Sequence, residues 1–190
     1  MSMTVTRRKD NKVPRVFMHK VADIRGGVSV NTSELGNDFL LEGAVLSAPQ
    51  EGICHVVKVA KVVADVTSTG KAINVAKGHN FKVGDIVMVV EGGVAYAITA
   101  IDTTTNKTHD VVTVKTTLGA IEQGGFIIEA KAESTTTTSA LKYVPLSLAG
   151  TGKPIVQGSN LDVDAWVIGV TKGNALPECI VKHLKGIINY

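Results

Sequence analysis

Four residues of this 190-residue chain have side chains of the kind that bind zinc: Cys54, His55, Cys179 and His183. Thiolate and imidazole are the usual ligands of tetrahedral zinc sites. Cys54 and His55 are neighbours in a predicted strand and therefore point to opposite faces, and Cys179 and His183 would lie ~13 Å apart along a strand at about 3.3 Å per residue. We expect no metal site, and we interpret both cysteines as free thiols that pack as small hydrophobic side chains.

A second candidate is the segment Gly-Thr-Gly-Lys at residues 150–153. Glycine-rich backbone followed by lysine binds phosphate in nucleotide-binding loops. The spacing here differs from that motif, because Ser147 stands where the first glycine is needed and Pro154 replaces the metal-binding serine or threonine. No helix is predicted to follow, so no helix dipole would attract an anion. We interpret the segment as a turn.

Nucleophilic catalysis needs a serine or cysteine beside a histidine that a carboxylate orients. The five histidines of the chain are scattered over different predicted elements, and no spaced pair of carboxylates falls in a segment that would form a cleft. His79 and His109 lie in predicted turns, where a solvated side chain is the ordinary interpretation. We expect no catalytic residues and no cofactor, and we predict that the protein is not an enzyme.

The N-terminus has the most distinct charge pattern. The first 25 residues contain seven basic and two acidic side chains, whereas the rest of the chain has a small excess of acidic ones. Residues 1–37 are predicted to form a basic, extended arm that becomes ordered against a partner. A disordered, solvated tail fits the composition equally well. The predicted partner-binding residues are the basic side chains of the arm, Arg7, Arg8, Lys9, Lys12 and Arg15.

Residues 38–190 are predicted to form a β domain. Aromatic residues make up only 4% of the chain, so the core must consist mainly of Val, Ile, Leu and Ala, and β-branched side chains favour strands. Short apolar segments alternate with turns rich in Gly, Pro and Asn, and no long amphipathic helix is predicted. The expected fold class is mainly β, an antiparallel β-barrel or sandwich with an extended N-terminal arm. No apolar run reaches the ~20 residues of a membrane helix, so we expect a soluble protein.

The clearest predicted hairpin joins residues 94–102 to residues 111–116 across a polar loop. A long, bent strand is expected at residues 53–66, and a final strand near residues 179–188. We expect residues 43–66 to pair with the last block of the chain. Residues 71–132 would then form an inserted β subdomain between two halves of one sheet system.

One interpretation is a small barrel module that binds nucleic acid. The Gly84-Asp85 turn that leads into an apolar run is typical of barrel modules in transcription and ribosomal factors. Many unrelated β-barrels use the same turn, because Gly84 permits a close approach and Asp85 can accept a hydrogen bond within its own turn. Single-strand binding also needs exposed aromatic side chains in a basic groove, and this block offers only Phe81 and Tyr96.

A broader resemblance covers roughly residues 38–190. It rests on Lys-Gly-His-Asn-Phe-Lys-Val-Gly-Asp at residues 77–85, Ala-Ile-Thr-Ala-Ile-Asp at 97–102, Asp-Val-Val-Thr-Val at 110–114 and Thr-Leu-Gly-Ala at 117–120. Flanking segments at residues 41–46 and 167–171 agree with it. In these motifs the chain resembles the head fiber and head decoration proteins of tailed bacteriophages that infect Bacteroidetes. The basic arm is not part of the resemblance.

The resemblance implies a structural, non-enzymatic protein of the virion. Such a protein is made in the cytoplasm of the bacterial host, binds the major capsid protein on the outside of the capsid and is often a trimer. Further partners would be other virion components or the host surface. From the sequence we expect no membrane partner, and we favour a protein partner over nucleic acid. The basic arm could lie along an acidic capsid surface. A surface carbohydrate-binding module is a third interpretation, although Trp166 alternates with Val and Ile as a buried residue would.

Overall fold

The structure is a computed structural model that describes residues 15–156 and 158–190. Over these residues the chain is almost entirely β, which confirms the predicted fold class. The elements, in chain order, are β1 (Phe17–Asp23), β2 (Val28–Val30), β3 (Phe39–Leu40), β4 (Val45–Ser47), β5 (Ile53–Cys54), β6 (Val59–Lys61), β7 (Ala72–Ala76), β8 (Ile86–Met88), β9 (Ala95–Asp102), β10 (His109–Val114), β11 (Phe126–Glu129), β12 (Pro145–Ala149), β13 (Lys153–Pro154), β14 (Leu161–Val163), β15 (Ala165–Thr171), α1 (Glu178–Val181) and β16 (Ile187–Asn189).

Strands from both ends of the chain meet in one five-stranded sheet, here called the terminal sheet. Its order is β1-β15-β12-β4, and β16 pairs with β15 in parallel while the other pairs are antiparallel. Within residues 43–66, β4 therefore pairs with the last block, through β12. The rest of that range does not pair as expected, because β5 pairs with β2 and β6 pairs with β11. The strand expected near residues 179–188 is wrong in its first part, because residues Glu178–Val181 form the short helix α1 and the strand begins only at Ile187.

The middle of the chain forms a six-stranded sheet, here called the middle sheet, in the order β6-β11-β8-β9-β10-β7. Residues 71–132 supply five of its six strands, and the predicted hairpin is present as β9 and β10. The sheet curls until its edges touch at a single bridge between Val62 and Val75. One bridge is not a ladder, so the sheet is not a closed barrel. Its core consists of apolar side chains from all six strands and from the segments between them.

The terminal and middle sheets share a second core. Phe17, Val45 and Leu148 of the terminal sheet pack in one cluster with Met88 and Ile128 of the middle sheet. Burial of apolar area between two sheets stabilises a sandwich arrangement. The sandwich is therefore the better of the two architectures that we predicted.

Two small sheets complete the fold. One has the order β14-β2-β5 and the other pairs β3 with β13, and both lie over a third apolar core. The part of the predicted arm at residues 17–37 includes β1 and β2, which pair with β15 and β14. The segment at residues 53–66 is divided, since β5 and β6 belong to different sheets. Within the described residues, no helix is long and apolar enough to cross a membrane.

Candidate functional site

The predicted partner-binding residues fall mostly outside the described part of the chain. Arg7, Arg8, Lys9 and Lys12 lie among residues 1–14, which the structure does not describe. Arg15 is exposed and comes two residues before β1. The basic segment therefore leads directly into the terminal sheet.

The pairing register of the terminal sheet identifies which side chains share its exposed side. Val170 of β15 pairs with His19 of β1 and with Ile188 of β16, and Ile168 pairs with Ala22. Residues that pair directly, and residues two apart on one strand, point to the same side of a sheet. These five residues therefore share one side, which we call the outer face.

Four of the five residues of the outer face are apolar, and His19 is the exception. Ile188 is 65% exposed and Ile168 is 45% exposed. Met18 and Val21, which flank this face on β1, are 57% and 59% exposed and lie where the β1 register is irregular. These four residues are among the exposed large apolar side chains of the described chain.

The opposite side of the same strands is closed. Phe17 and Thr171 are buried there and pair with each other. Gly169 leaves no room for a side chain, because a Cβ atom would lie 2.9 Å from the carbonyl oxygen of His19 and 3.0 Å from the Phe17 ring. β15 is thus fixed against the core and presents only its other side to solvent.

The segments that contain β1 and β16 carry an excess of basic side chains. Residues 15–25 and residues 172–190 each contain three basic and one acidic side chain, whereas residues 26–171 contain ten basic and fourteen acidic ones. The ammonium of Lys172 lies 5.8 Å from the centre of the Tyr190 ring. The ends of the chain are therefore positive and its middle is negative.

Trp166 lies on β15 beside this surface and is only half-buried. Its indole Nε1 donates a hydrogen bond to Asp164 Oδ2 at 3.0 Å, and the Lys20 ammonium lies 5.3 Å from its ring centre. Lys20 also donates a hydrogen bond to the carbonyl oxygen of Gly150 at 2.5 Å. The ring is held by these contacts and has a cation over it, unlike the open aromatic platform of a sugar site.

A second group of polar residues lies inside the protein, where the middle sheet meets the rest of the fold. Lys58 is only 1% exposed. Its Nζ donates a hydrogen bond to Asp85 Oδ2 at 2.7 Å and lies 3.2 Å from Glu129 Oε1. Asp85 Oδ2 also accepts the Lys82 amide at 2.7 Å, which closes the turn around Gly84. A buried ammonium is tolerated because two carboxylates compensate it.

The same group continues toward the terminal sheet. Lys142 Nζ donates to Glu129 Oε1 at 2.9 Å and lies 4.0 Å from Glu34 Oε2. The Tyr143 hydroxyl donates to Glu34 Oε1 at 2.7 Å, and His55 Nδ1 lies 3.2 Å from Glu34 Oε2. The His55 and Tyr143 rings stack 4.2 Å apart. We call these seven residues the junction network: Glu34, His55, Lys58, Asp85, Glu129, Lys142 and Tyr143.

Burial and neighbouring charges shift the pKa values of the two glutamates in opposite directions. Burial alone would raise the pKa of Glu34, but the Tyr143 hydrogen bond and the positive charge of Lys142 bring it below its usual value. Burial raises the pKa of Glu129, and the charges of Lys58 and Lys142 offset only part of that effect. Burial also raises the pKa of Tyr143, and the hydrogen bond to Glu34 adds to it.

His79 differs from the prediction, because its side chain is buried and not solvated. Its Nδ1 accepts the Phe81 amide at 3.2 Å, and its Nε2 lies 3.4 Å from Asp110 Oδ2. Burial lowers the pKa of His79, whereas the negative charge of Asp110 raises it. Among the described residues, no serine or cysteine side chain forms a hydrogen bond with a histidine ring; Ser47 Oγ accepts only the backbone amide of His55, at 2.9 Å.

The structure does not bring the four zinc-type residues together. Cys54 is buried in the core beneath the small sheets, and Cys179 packs against the core shared by the two large sheets. Burial raises the pKa of both thiols. The described residues include no group of three or more His, Cys, Asp or Glu side chains placed to hold a metal ion.

The glycine-rich segment at residues 150–153 runs into a strand. Lys153 begins β13 and donates to the carbonyl oxygen of Asp162 at 2.7 Å. Thr151 donates to Asp164 Oδ2 at 3.1 Å. These contacts agree with the interpretation of the segment as a turn.

Comparison of the chain with models of known protein families, with curated proteins and with solved structures finds no match in any of the three.

Proposed function

We propose that this protein is a virion structural protein, a head fiber or decoration protein that binds the outside of a bacteriophage capsid. The observation that carries the proposal is the group of exposed apolar residues on the outer face of the terminal sheet, whose first strand follows the basic N-terminal segment in the sequence. Apolar surface with a basic surround is suited to binding a macromolecule. The resemblance of residues 38–190 to head fiber and decoration proteins supplies the identity of that macromolecule.

The basic segment and the outer face have different tasks in this proposal. Arg7, Arg8, Lys9, Lys12 and Arg15 attract an acidic capsid surface and raise the association rate. The outer face supplies the apolar contact that slows dissociation. The major capsid protein is the proposed partner, and the protein is proposed to act as a homotrimer on the capsid exterior.

The middle sheet offers less support for a nucleic-acid-binding module. The two aromatic residues near the Gly84-Asp85 turn are Phe81 and Tyr96. Phe81 is buried, and Tyr96 is half-buried and packs against the core of the middle sheet. Single-strand binding depends on aromatic rings that are open for stacking. The aromatic residues of this segment contribute to the core.

The first experiment is a search for the chain in purified virions. Virions of the phage that encodes the chain are separated on a density gradient and analysed by quantitative mass spectrometry. We expect the chain in the particle fraction, at a fixed ratio to the major capsid protein, and its release by mild denaturant while the shell stays closed. Absence of the chain from the particle fraction would contradict the proposal.

A second experiment tests the basic segment. Shells stripped of the protein are incubated with the full-length chain, with residues 15–190, or with a full-length variant in which Arg7, Arg8, Lys9 and Lys12 are glutamine. Both altered proteins are expected to bind more slowly and to show a weaker dependence of binding on salt. Equal association rates for all three proteins would exclude a role for these four charges.

A further inference from the structure

We propose that the outer face and its basic surround bind an acidic protein surface with an apolar centre, and that this partner is not the same face of a second copy. This inference rests on the proposed function and deepens it, because it assigns the docking surface and the chemistry of the partner.

The outer face extends over three strands, with its isoleucines and Val170 on β15 and β16 and with His19 and Ala22 on β1. Ile188, Val170 and Ile168 lie on the same face of the sheet. In the plane of the sheet, β15 lies between β1 and β16. Neighbouring strands are about 4.8 Å apart, so the three strands span roughly 10 Å. A patch of that width has room for a few large side chains of a partner, and a few central residues often supply most of the binding energy of an interface.

The surrounding charges are available for a partner. Within the described residues, Arg15, Lys172 and Lys185 are exposed and form no salt bridge, in contrast to Lys20 and Lys182, which pair with Asp164 and Glu91. Unpaired basic side chains around an apolar centre favour acidic residues on the opposing surface.

The same charges disfavour contact between two outer faces. An isologous dimer would bring two copies of the same positively charged surface together, and like charges opposed across an interface weaken it. Edge pairing through β1 is also disfavoured. The register of β1 against β15 is irregular between Phe17 and His19 and between Lys20 and Asp23, and irregular, bulged edges are a common protection against strand addition.

A protein partner accounts for both parts of the surface. Nucleic acid is bound mainly through phosphate contacts to basic side chains, and that mode leaves the exposed isoleucines and valines without a role. The partner in this inference is therefore a folded protein surface, here the capsid exterior.

The test uses two pairs of substitutions that add the same charge to equally exposed valine or isoleucine residues. The first pair, Val21→Asp with Ile188→Asp, alters the terminal sheet. The control pair, Val83→Asp with Val90→Asp, alters two turns of the middle sheet that are as exposed. Circular dichroism and thermal melting establish that each full-length variant is folded. Binding to stripped shells is measured by co-sedimentation, and self-association by analytical ultracentrifugation.

We expect the first pair to weaken shell binding by at least roughly tenfold, which corresponds to about 1.4 kcal/mol. The control pair is expected to bind shells like the unaltered protein. The self-association of both double variants is expected to be unchanged. If both pairs bind like the unaltered protein, the docking surface is wrong although the proposed function stands. If the first pair dissociates an oligomer that the control pair retains, the face binds a second copy and the inference is overturned. Failure of the unaltered protein to bind shells would overturn the proposed function as well.

A charge test separates a protein partner from other polyanions. Lys172→Glu with Lys185→Glu is compared with Lys71→Glu and Lys107→Glu, which are also exposed. We expect only the first pair to lose shell binding. Two further probes are single-stranded DNA and vesicles that contain anionic lipid. The protein assignment would be overturned if either probe bound as tightly as the shells do and if that binding were lost in the variant with Val21→Asp and Ile188→Asp.

Discussion

The junction network and the outer face place their side chains in opposite ways. In the junction network, charged groups such as Lys58 and Glu129 are buried, and the residues of the network come from five separate segments of the chain. On the outer face, apolar side chains such as Ile168 and Ile188 are exposed although the strands beneath them are fixed to the core. Each arrangement is costly in an isolated chain. The buried charges are compensated within the protein, whereas the exposed apolar residues are not.

This difference separates a structural role from an interaction role. Substitutions in the junction network are expected to lower the free energy of unfolding. Substitutions on the outer face are expected to leave stability unchanged and to affect binding. The predictions below test that separation in order of decreasing effect on stability.

The largest effect is expected for Lys58→Met. The substitution leaves Asp85 and Glu129 without their shared ammonium, and removal of one partner from a buried ion pair costs about 3 to 5 kcal/mol. Urea unfolding followed by circular dichroism measures the change. Lys61→Met is the matched control, because Lys61 is three residues further on and exposed, and its expected effect is within about 0.5 kcal/mol. Similar values for the two variants would contradict a structural role for the network.

A smaller loss is expected for Tyr143→Phe. The substitution removes the hydroxyl that donates to Glu34 but keeps the ring that stacks on His55. Hydrogen bonds to charged groups contribute about 1.5 to 3 kcal/mol. Tyr190→Phe removes an exposed hydroxyl and is expected to have no measurable effect. Equal midpoints of urea unfolding for the two variants would show that the hydroxyl of Tyr143 contributes nothing.

The acid side of the stability profile is expected to depend on Glu34. Its pKa is lower in the folded protein than the usual 4.5, so its contribution is fully present above about pH 4.5 and is lost as the pH falls through the lowered value. The raised pKa of Glu129 has the opposite sign and favours the folded state toward low pH. Urea unfolding from pH 3 to 7 should give a flatter acid limb for Glu34→Gln than for the control Glu122→Gln, an exposed position. Parallel acid limbs would contradict the assigned shift.

The smallest effect on stability is expected on the outer face. Ile188→Ser alters an exposed side chain and should change the free energy of unfolding by less than about 0.5 kcal/mol. Ile180→Ser alters a fully buried side chain eight residues earlier and should cost several kcal/mol, on the order of a large-to-small core substitution. Thermal melting compares the two. A large loss of thermal stability in Ile188→Ser would mean that this residue stabilises the fold, and it would contradict a role limited to binding a partner.

Much of the fold follows from local patterns in the sequence. The alternation of apolar residues on either side of a polar loop predicts β9 and β10, and these strands pair as expected. Gly84 has a φ of +95°, a backbone conformation that glycine adopts readily, and Asp85 hydrogen-bonds within the turn. These features depend on neighbours in the sequence, so a local pattern is sufficient to predict them.

The remaining features depend on long-range register. Lys58 interrupts an apolar run, which is a signal for a buried cation, but its partners Asp85 and Glu129 are distant in sequence and are set by the pairing of β6, β8 and β11. His79 was expected in solvent because its turn is polar, and it is buried because the loop packs against Phe81 and Asp110. Exposure of Ile188 likewise follows from the parallel pairing of β16, which periodicity alone does not indicate.

The most direct test of the central claim is a reconstruction of the virion by electron cryomicroscopy at a resolution that resolves strands. The account predicts density for this chain on the capsid exterior, with the outer face of β1, β15 and β16 against the shell and the middle sheet directed away from it. Density in which the middle sheet contacts the shell, or a capsid exterior without this chain, would contradict the account.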